Sequence, residues 1–233
     1  MKTRVWLSAL ALAAGVTTCA MADVTGTVKL DGKAPEMKPI DTSAVAGCAH
    51  DKPLLDEKVV VGDANGLANV VVSIKKEEGQ DLPGADKPPT EPGKLDQKGC
   101  QYVPHVIAVQ VGQPIKVANS DPLLHNVHTQ PEKNNPDNIA EPNIDPGKKL
   151  KVPTDPEYYH VKCDVHPWMS AWIAVIDNPF FAVTDKDGKF TLPKGLKDGK
   201  YTLHVWQEKL GEQDVPFEVK GGNATVDVTV KQQ

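Results

Sequence analysis

Cys163, His166 and Met169 fall within one short stretch, VKCDVHPWMSA (Val161 to Ala171), and no other feature restricts this chain so strongly. A thiolate, an imidazole and a thioether at C-x2-H-x2-M spacing suit a soft, redox-active metal. Cys together with Met selects copper, whereas zinc and calcium sites draw on other ligand mixtures. A trigonal copper site takes two His, one Cys and a weak axial Met, so one histidine must arrive from elsewhere. His125, well upstream in LLHNVH, is the natural candidate.

His125 and His128 compete for that place. Residues three apart on a strand point to opposite faces, so both cannot easily reach one metal. In the pattern Tyr159, Val161, Cys163 the side chains alternate inward, which leaves His160 and Lys162 outside.

Around the motif the chain reads as all β. Aromatic residues make up 5% of it, against 20 Pro and 18 Gly, and short β-branched runs separated by turn residues recur throughout. The length of 233 residues allows one large domain or two ordinary ones. The formal charge is −5, and more negative by the charges of Lys2 and Arg4 if a leader is removed. Arg4 is the sole arginine. An acidic mature chain without arginine is poorly suited to nucleic acid, where phosphate neutralisation and guanine readout favour basic, Arg-bearing surfaces.

Residues 1–22 read as a secretory signal. Lys2 and Arg4 supply a positive start, Val5 to Thr18 an apolar middle, and Ala20-Met21-Ala22 a cleavage site after Ala22. The apolar run is shorter than the ~20 residues that span a bilayer, and no later segment approaches that length. These features point to a periplasmic or secreted protein without a membrane span. The competing expectation, a lipid anchor on Cys19, has Thr18 against it, because a small residue usually precedes a lipidated cysteine.

Two stretches resemble the small blue copper proteins, the cupredoxins, and amicyanin-like members in particular. One is Leu124, His125, Asn126, Val127, His128, with Leu124 where the family has proline; the other is Cys163 through Met169. The likeness covers roughly residues 100–177. It implies a Greek-key β-sandwich holding one type 1 copper ion on His125, Cys163, His166 and Met169. It also implies that His125 rather than His128 binds the metal, with Asn126 tying its strand to the cysteine loop. In that family the C-terminal histidine has one ring edge at the surface, which would make Pro167 and Trp168 a small docking patch; the other expectation for Trp168 is packing against a second domain.

Cysteine arithmetic follows. If Cys19 leaves with the leader, Cys48, Cys100 and Cys163 remain, an odd number in an oxidising compartment. The count resolves if Cys48 pairs with Cys100 and copper holds Cys163; the other possibility is that Cys48 and Cys100 stay buried and reduced.

Elsewhere the reading is coarser. VTGTVKLDGKAP after Asp23 is a strand and turn, residues 34–57 a loop with one helical turn near Ala44 to Ala49, and Lys58 to Val61 and Asn69 to Lys76 two strands. Residues 77–98 are charged and rich in Pro and Gly, as expected of a surface loop or domain junction. Thr129 to Gly147 is polar and full of turn signals. His50 is expected at the surface, His105 on a solvent-facing strand position, and His204 in packing or at the surface. From Phe180 onward, FFAVTDKDGKFTL, GLKDGKYTLHVW and ATVDVTV resemble the carboxypeptidase regulatory-like, transthyretin-type β-sandwich, whose usual first strand sits far upstream at Val24 to Val28. The DKDG of Asp185 to Gly188 lacks the ligand run of a calcium loop and reads as a hairpin turn.

The expected organisation is therefore a leader (1–22), the N-terminal part of an outer sandwich (23–98), a cupredoxin domain (99–178) inserted in or adjacent to it, and the C-terminal part of the outer sandwich (179–233). The expected function is single-electron transfer, without catalysis, between periplasmic redox proteins such as c-type cytochromes or a dehydrogenase. A copper carrier or store, or a mononuclear copper enzyme with an open coordination position, are the alternatives. A purely structural β-sandwich protein would leave the Cys163 loop idle.

Overall fold

The computed structural model describes residues 23–232, so the expected leader, its cleavage after Ala22 and Cys19 lie outside the described residues. Four main sheets form two sandwiches, and short 3-10 turns at Ala46–Cys48 and Asp63–Asn65 are the only helical elements among the described residues. No helix there is long and apolar enough to cross a membrane.

In the outer sandwich Asp23–Asp31 is the central strand of one sheet. It pairs antiparallel with Lys189–Thr191 and parallel with Asn223–Thr225 and Val228–Lys231. Its period-2 pattern puts Val24, Val28 and Leu30 into the core. Gly26, on the same face, lies under Phe190 and so close to the Val226 carbonyl that a Cβ would stand 2.0 Å from that oxygen. The facing sheet runs in the order Phe181–Val183, Val71–Ile74, Gly199–Gln207, Gly211–Val219. The turn at Asp185 closes on itself: its Oδ1 accepts the N–H of Asp187 and of Lys189, and Gly188 takes φ +75°. It is a tight turn, as expected, but not that of a hairpin: it carries the chain from Phe181–Val183 in one sheet to Lys189–Thr191 in the facing one.

All strands of the second sandwich lie in the chain between Val71–Ile74 and Phe181–Val183, which are antiparallel neighbours. One of its sheets has the order Asn138–Glu141, His125–Gln130, Glu157–Lys162, Ser170–Ile176, Val106–Gln110; the other has Asp145–Lys149, Ile115–Asn119, Gly93–Gln97, Tyr102–Val103. Val109, Val127, Val161, Ile173 and Val175 fill the core between them. Ala174 and Ile176 face away from that core and meet Val71, with Phe181, Val183 and Trp206 of the outer sandwich packed alongside. Covering on both faces explains why this strand reads as an unbroken apolar run.

Several local expectations need correction. Gly93–Gln97 is a strand parallel to Ile115–Asn119, ahead of the boundary expected at residue 99. It has a single large apolar residue, Leu95; the buried Gln97 is accommodated because its amide donates to the Ala118 carbonyl at 3.0 Å and to Glu141. Lys58 to Val61 is no strand: Val61 makes one bridge to Leu67, while Leu54–Leu55 pairs with Pro39–Ile40. The polar stretch after Gln130 contains two strands, which lie at the sheet edges where solvent tolerates polar side chains. The segment around Cys48 packs in the core of the second sandwich, so residues assigned to the outer unit act as a strap across the other one.

Candidate metal centre

His125 opens the strand His125–Gln130, and Cys163 directly follows the strand Glu157–Lys162 that pairs with it, His128 lying opposite Lys162. The ladder therefore sets both residues at one end of the sheet. Beyond Cys163 the chain turns tightly: Met169 N–H donates to the His166 carbonyl at 2.9 Å and Cys163 N–H to the Met169 carbonyl at 3.4 Å. That turn folds His166 back over Cys163.

One ring nitrogen each of His125 and His166 and the sulfur of Cys163 all lie within 4.8 Å of one another. His125 Nδ1 is 2.8 Å from His166 Nδ1, which is 3.8 Å from Cys163 Sγ. Met169 is buried in the same core. All four side chains are at most 2% exposed, so a bound ion would be shielded from water. A second convergence, Cys100 with Asp121 and His125, offers no thiolate, because Cys100 forms a disulfide with Cys48, their Cα atoms 5.6 Å apart.

Asp121 is the residue that the sequence did not flag. Its carboxylate accepts from His125 Nε2 at 3.0 Å and is itself held by the N–H groups of Gly99 and Cys100, both at 2.8 Å. When the only ring proton sits on Nε2, the lone pair of Nδ1 is free for a metal, the carboxylate–histidine arrangement that orients metal ligands. Burial pushes the Asp121 carboxyl up, but those two N–H groups and His125 outweigh it and hold it below its ordinary value.

The electrostatics favour a thiolate. Burial opposes ionisation of Cys163, yet the His125 ring and the backbone N–H groups of Asn126, His166 and Val165 overcome it and bring the thiol below its ordinary value. His166 is pushed down by burial and by the neighbouring His125, which keeps its ring nitrogen available as a donor to a metal. Two imidazoles, a thiolate and a thioether fit a soft, redox-active ion.

Asn126 links the two ligand segments. Its N–H points at Cys163 Sγ from 3.4 Å and its Oδ1 accepts the Asp164 N–H at 2.6 Å, while Tyr102 donates to its carbonyl. His128 points outward, half-exposed, 2.9 Å from Asp164. His50 is exposed, with a ring nitrogen 2.9 Å from the Gly99 carbonyl, and His160 lies between Gln130 and Ser170. His204 pairs with Asp214 on the outer sandwich.

Two expectations fail here. His105 is neither a ligand nor solvent-facing: it is buried and pairs with Glu208 of the outer sandwich. The ring edge of His166 expected at the surface is covered, since the residue is 2% exposed. Trp168 packs on the His166 ring at 5.2 Å between centroids and donates its indole N–H to the Cys100 carbonyl at 3.0 Å. It therefore leans on the disulfide rather than on the outer sandwich, and Pro167 beside it is exposed.

No family model and no curated protein matches this chain. Solved structures similar to part of it include a Cu-containing nitrite reductase (NirK) from Thermus scotoductus SA-01, at 21% identity over 41% of this chain and 27% of that one, TM-score 0.32. A purple cupredoxin from Nitrosopumilus maritimus matches at 18% identity over 36% of this chain and 98% of that one, TM-score 0.29. Amicyanin from Paracoccus versutus matches at 14% identity over 45% of this chain and 96% of that one, TM-score 0.33. This chain thus spans about a quarter of the nitrite reductase, and each similarity is confined to less than half of this chain.

Proposed function

We propose that this chain is an exported copper protein that passes single electrons between periplasmic redox partners, such as c-type cytochromes or a dehydrogenase. In this reading His125 and His166 bind through ring nitrogens, Cys163 supplies a thiolate and Met169 a weak axial thioether. The observation that carries it is a buried cysteine whose sulfur converges with ring nitrogens of two adjacent histidines, with the Asn126 N–H aimed at that sulfur. Bound there, copper would supply a one-electron couple.

The chain's own part is to hold these donors still. Asp121 fixes the tautomer and angle of His125, Asn126 ties the His125 strand to Asp164 next to Cys163, and the disulfide with Trp168 braces the loop from outside. Little movement of the donors on gain or loss of an electron favours rapid exchange. A carrier or store would present its ligands for transfer to another protein; ligands at most 2% exposed favour a resident ion. Pro167, with Trp168 half-exposed beside it, serves as the docking patch, and a small patch suits weak redox encounters, which bury under ~1,200 Å².

One observation favours a second reading. A cavity reaches Cys163 and Met169, and displacement of Met169 there would open a coordination position for a substrate, as in a mononuclear copper enzyme. An optical spectrum of the copper-loaded protein tests both. An intense visible thiolate-to-Cu(II) band, unchanged by added azide, supports the electron carrier; a band that shifts on azide addition supports the open site; a colourless adduct overturns the thiolate ligand.

A further inference from the structure

The cavity beside the metal loop has a volume of about 520 Å³, within the range of small-ligand sites. One wall is made by Cys163, Trp168 and Met169, and another by Leu55 and Glu57 of the N-terminal strap together with His105. The strap is held to this sandwich by the Cys48–Cys100 disulfide. The cavity is thus assembled from segments far apart in sequence, and the metal reading uses only one of them.

Most ionisable groups around it are already paired. Lys58 meets Asp56 at 2.7 Å, Lys162 meets Asp164 at 3.0 Å, and His105 faces Glu208. Glu57 is the exception: half-buried, it makes no hydrogen bond or ion pair to any described residue. Burial raises its carboxyl above the ordinary value. A carboxyl that lines a cavity without a partner from the protein leaves its oxygens free to accept from a donor brought by a ligand.

We propose that this cavity binds a small phenol or hydroquinone, with the ring against Trp168 and Leu55 and the hydroxyl donating to Glu57. The free polar group is an acceptor, so the ligand must bring a donor. An ammonium would meet Lys58 and Lys162 in the same lining, and an anion would find no unpaired cation. A neutral hydroxyl on a flat apolar body fits what remains, because aromatic walls favour offset or edge contact with another ring. The role of such a ring as an electron donor rests on the copper reading; its binding does not.

The test uses metal-free full-length protein, titrated with phenol while the indole N–H resonances are followed by NMR. The expected result is a saturable shift of the Trp168 signal with those of Trp172 and Trp206 unmoved. Toluene, which lacks the hydroxyl, and the Glu57→Ala variant with phenol should each bind at least about tenfold more weakly. Leu55→Trp, which fills the cavity from a partly exposed position, should abolish the shift while the thermal transition stays in place. No saturation of Trp168 by about 10 mM phenol, or equal binding of phenol and toluene to wild type and Glu57→Ala, would overturn the proposal. Phenol binding by a protein that shows no visible copper band would leave this inference standing and remove the copper reading; the reverse outcome would do the opposite.

Discussion

His105 of the nested strands and Glu208 of the outer sandwich form a pair in which both side chains are nearly free of solvent, at 5% and 4% exposure. The other Glu208 oxygen accepts the Trp172 indole N–H at 3.0 Å. One carboxylate thus satisfies two buried donors across the junction of the sandwiches. Glu208→Ala should cost about 2–4 kcal/mol, because each buried donor left unpaired costs ~1–3 kcal/mol, measured by urea unfolding.

The same pair sets a pH dependence. Burial pushes the His105 imidazole down, but Glu208, with help from Glu57, outweighs it and lifts the group above its ordinary value of 6.5. A raised folded value means that the stabilisation is complete below the unfolded value and is lost as pH rises through the folded one. Stability should therefore fall from about pH 6 towards mildly alkaline pH, and Glu208→Gln should flatten that slope. An unchanged slope in the variant would place the titration elsewhere.

Such a pair could not be read from the sequence, since its members are separated by 103 positions and neither sits in a motif. The ligand loop could be, because C-x2-H-x2-M is local and its chemistry restrictive. That His125 and His128 take opposite faces was also legible from strand alternation, whereas which of them turns towards Cys163 came only from the resemblance of LLHNVH to the cupredoxins. Gly93–Gln97 was not: a strand with one large apolar residue looks like a loop until the partners of Gln97 are known. Asp121 escaped for a similar reason, since nothing in NSDPLLH marks its carboxylate as the partner of a ring four residues on.

The ligand assignment predicts separable effects. Cys163→Ser should abolish the visible band by removing the charge-transfer donor, and His125→Ala should lower copper affinity. His128→Ala, which loses only an exposed contact with Asp164, should change neither. Met169→Leu should retain copper and shift the reduction potential, because an axial thioether tunes the couple more than it holds the ion.

Asp121 should behave as a positioning residue. Asp121→Asn keeps one oxygen, which can accept from Gly99 or Cys100 but not from both, and removes the charge that orients His125. Copper affinity, measured by competition with a chelator, should drop about 10–100-fold, the usual cost of losing such an outer partner. The metal-free protein should lose no more stability than one hydrogen bond supplies, about 1 kcal/mol; a much larger loss would make the role merely structural.

The disulfide closes a loop across a separation of 52 residues, for which chain-entropy models give roughly 4 kcal/mol. Replacing Cys48 and Cys100 by alanine should cost about that much and loosen the strap over the cavity. In the intact copper-free protein Cys163, at 2% exposure, should resist alkylation until the chain unfolds. Finding Cys163 in a disulfide by mass spectrometry would remove both the pairing and the metal site.

The last prediction concerns nesting. The chain leaves the outer sheet at Ile74 and re-enters at Phe180, where the Ile74 N–H donates to the Phe180 carbonyl at 2.9 Å and Ser73 lies opposite Phe181. In topological terms the whole second sandwich occupies the loop of one antiparallel hairpin. If the two units fold independently, residues 75–179 can be replaced by an Asn-Gly turn, whose twist suits a tight antiparallel connection. Shortening the connection lowers the entropy cost of closing it, and the core of Val24, Val28, Val72, Leu203 and Val205 loses a single buried member, Leu82. Excision also uncovers Trp206 and Phe181, which the removed strands had covered, so a companion variant should carry Trp206→Lys and Phe181→Lys to prevent association through that face. Both shortened chains should unfold in one cooperative thermal transition with β-type circular dichroism. Loss of that transition in the Lys-bearing variant as well would mean that the outer sandwich depends on its insert, and that the two share a single folding unit.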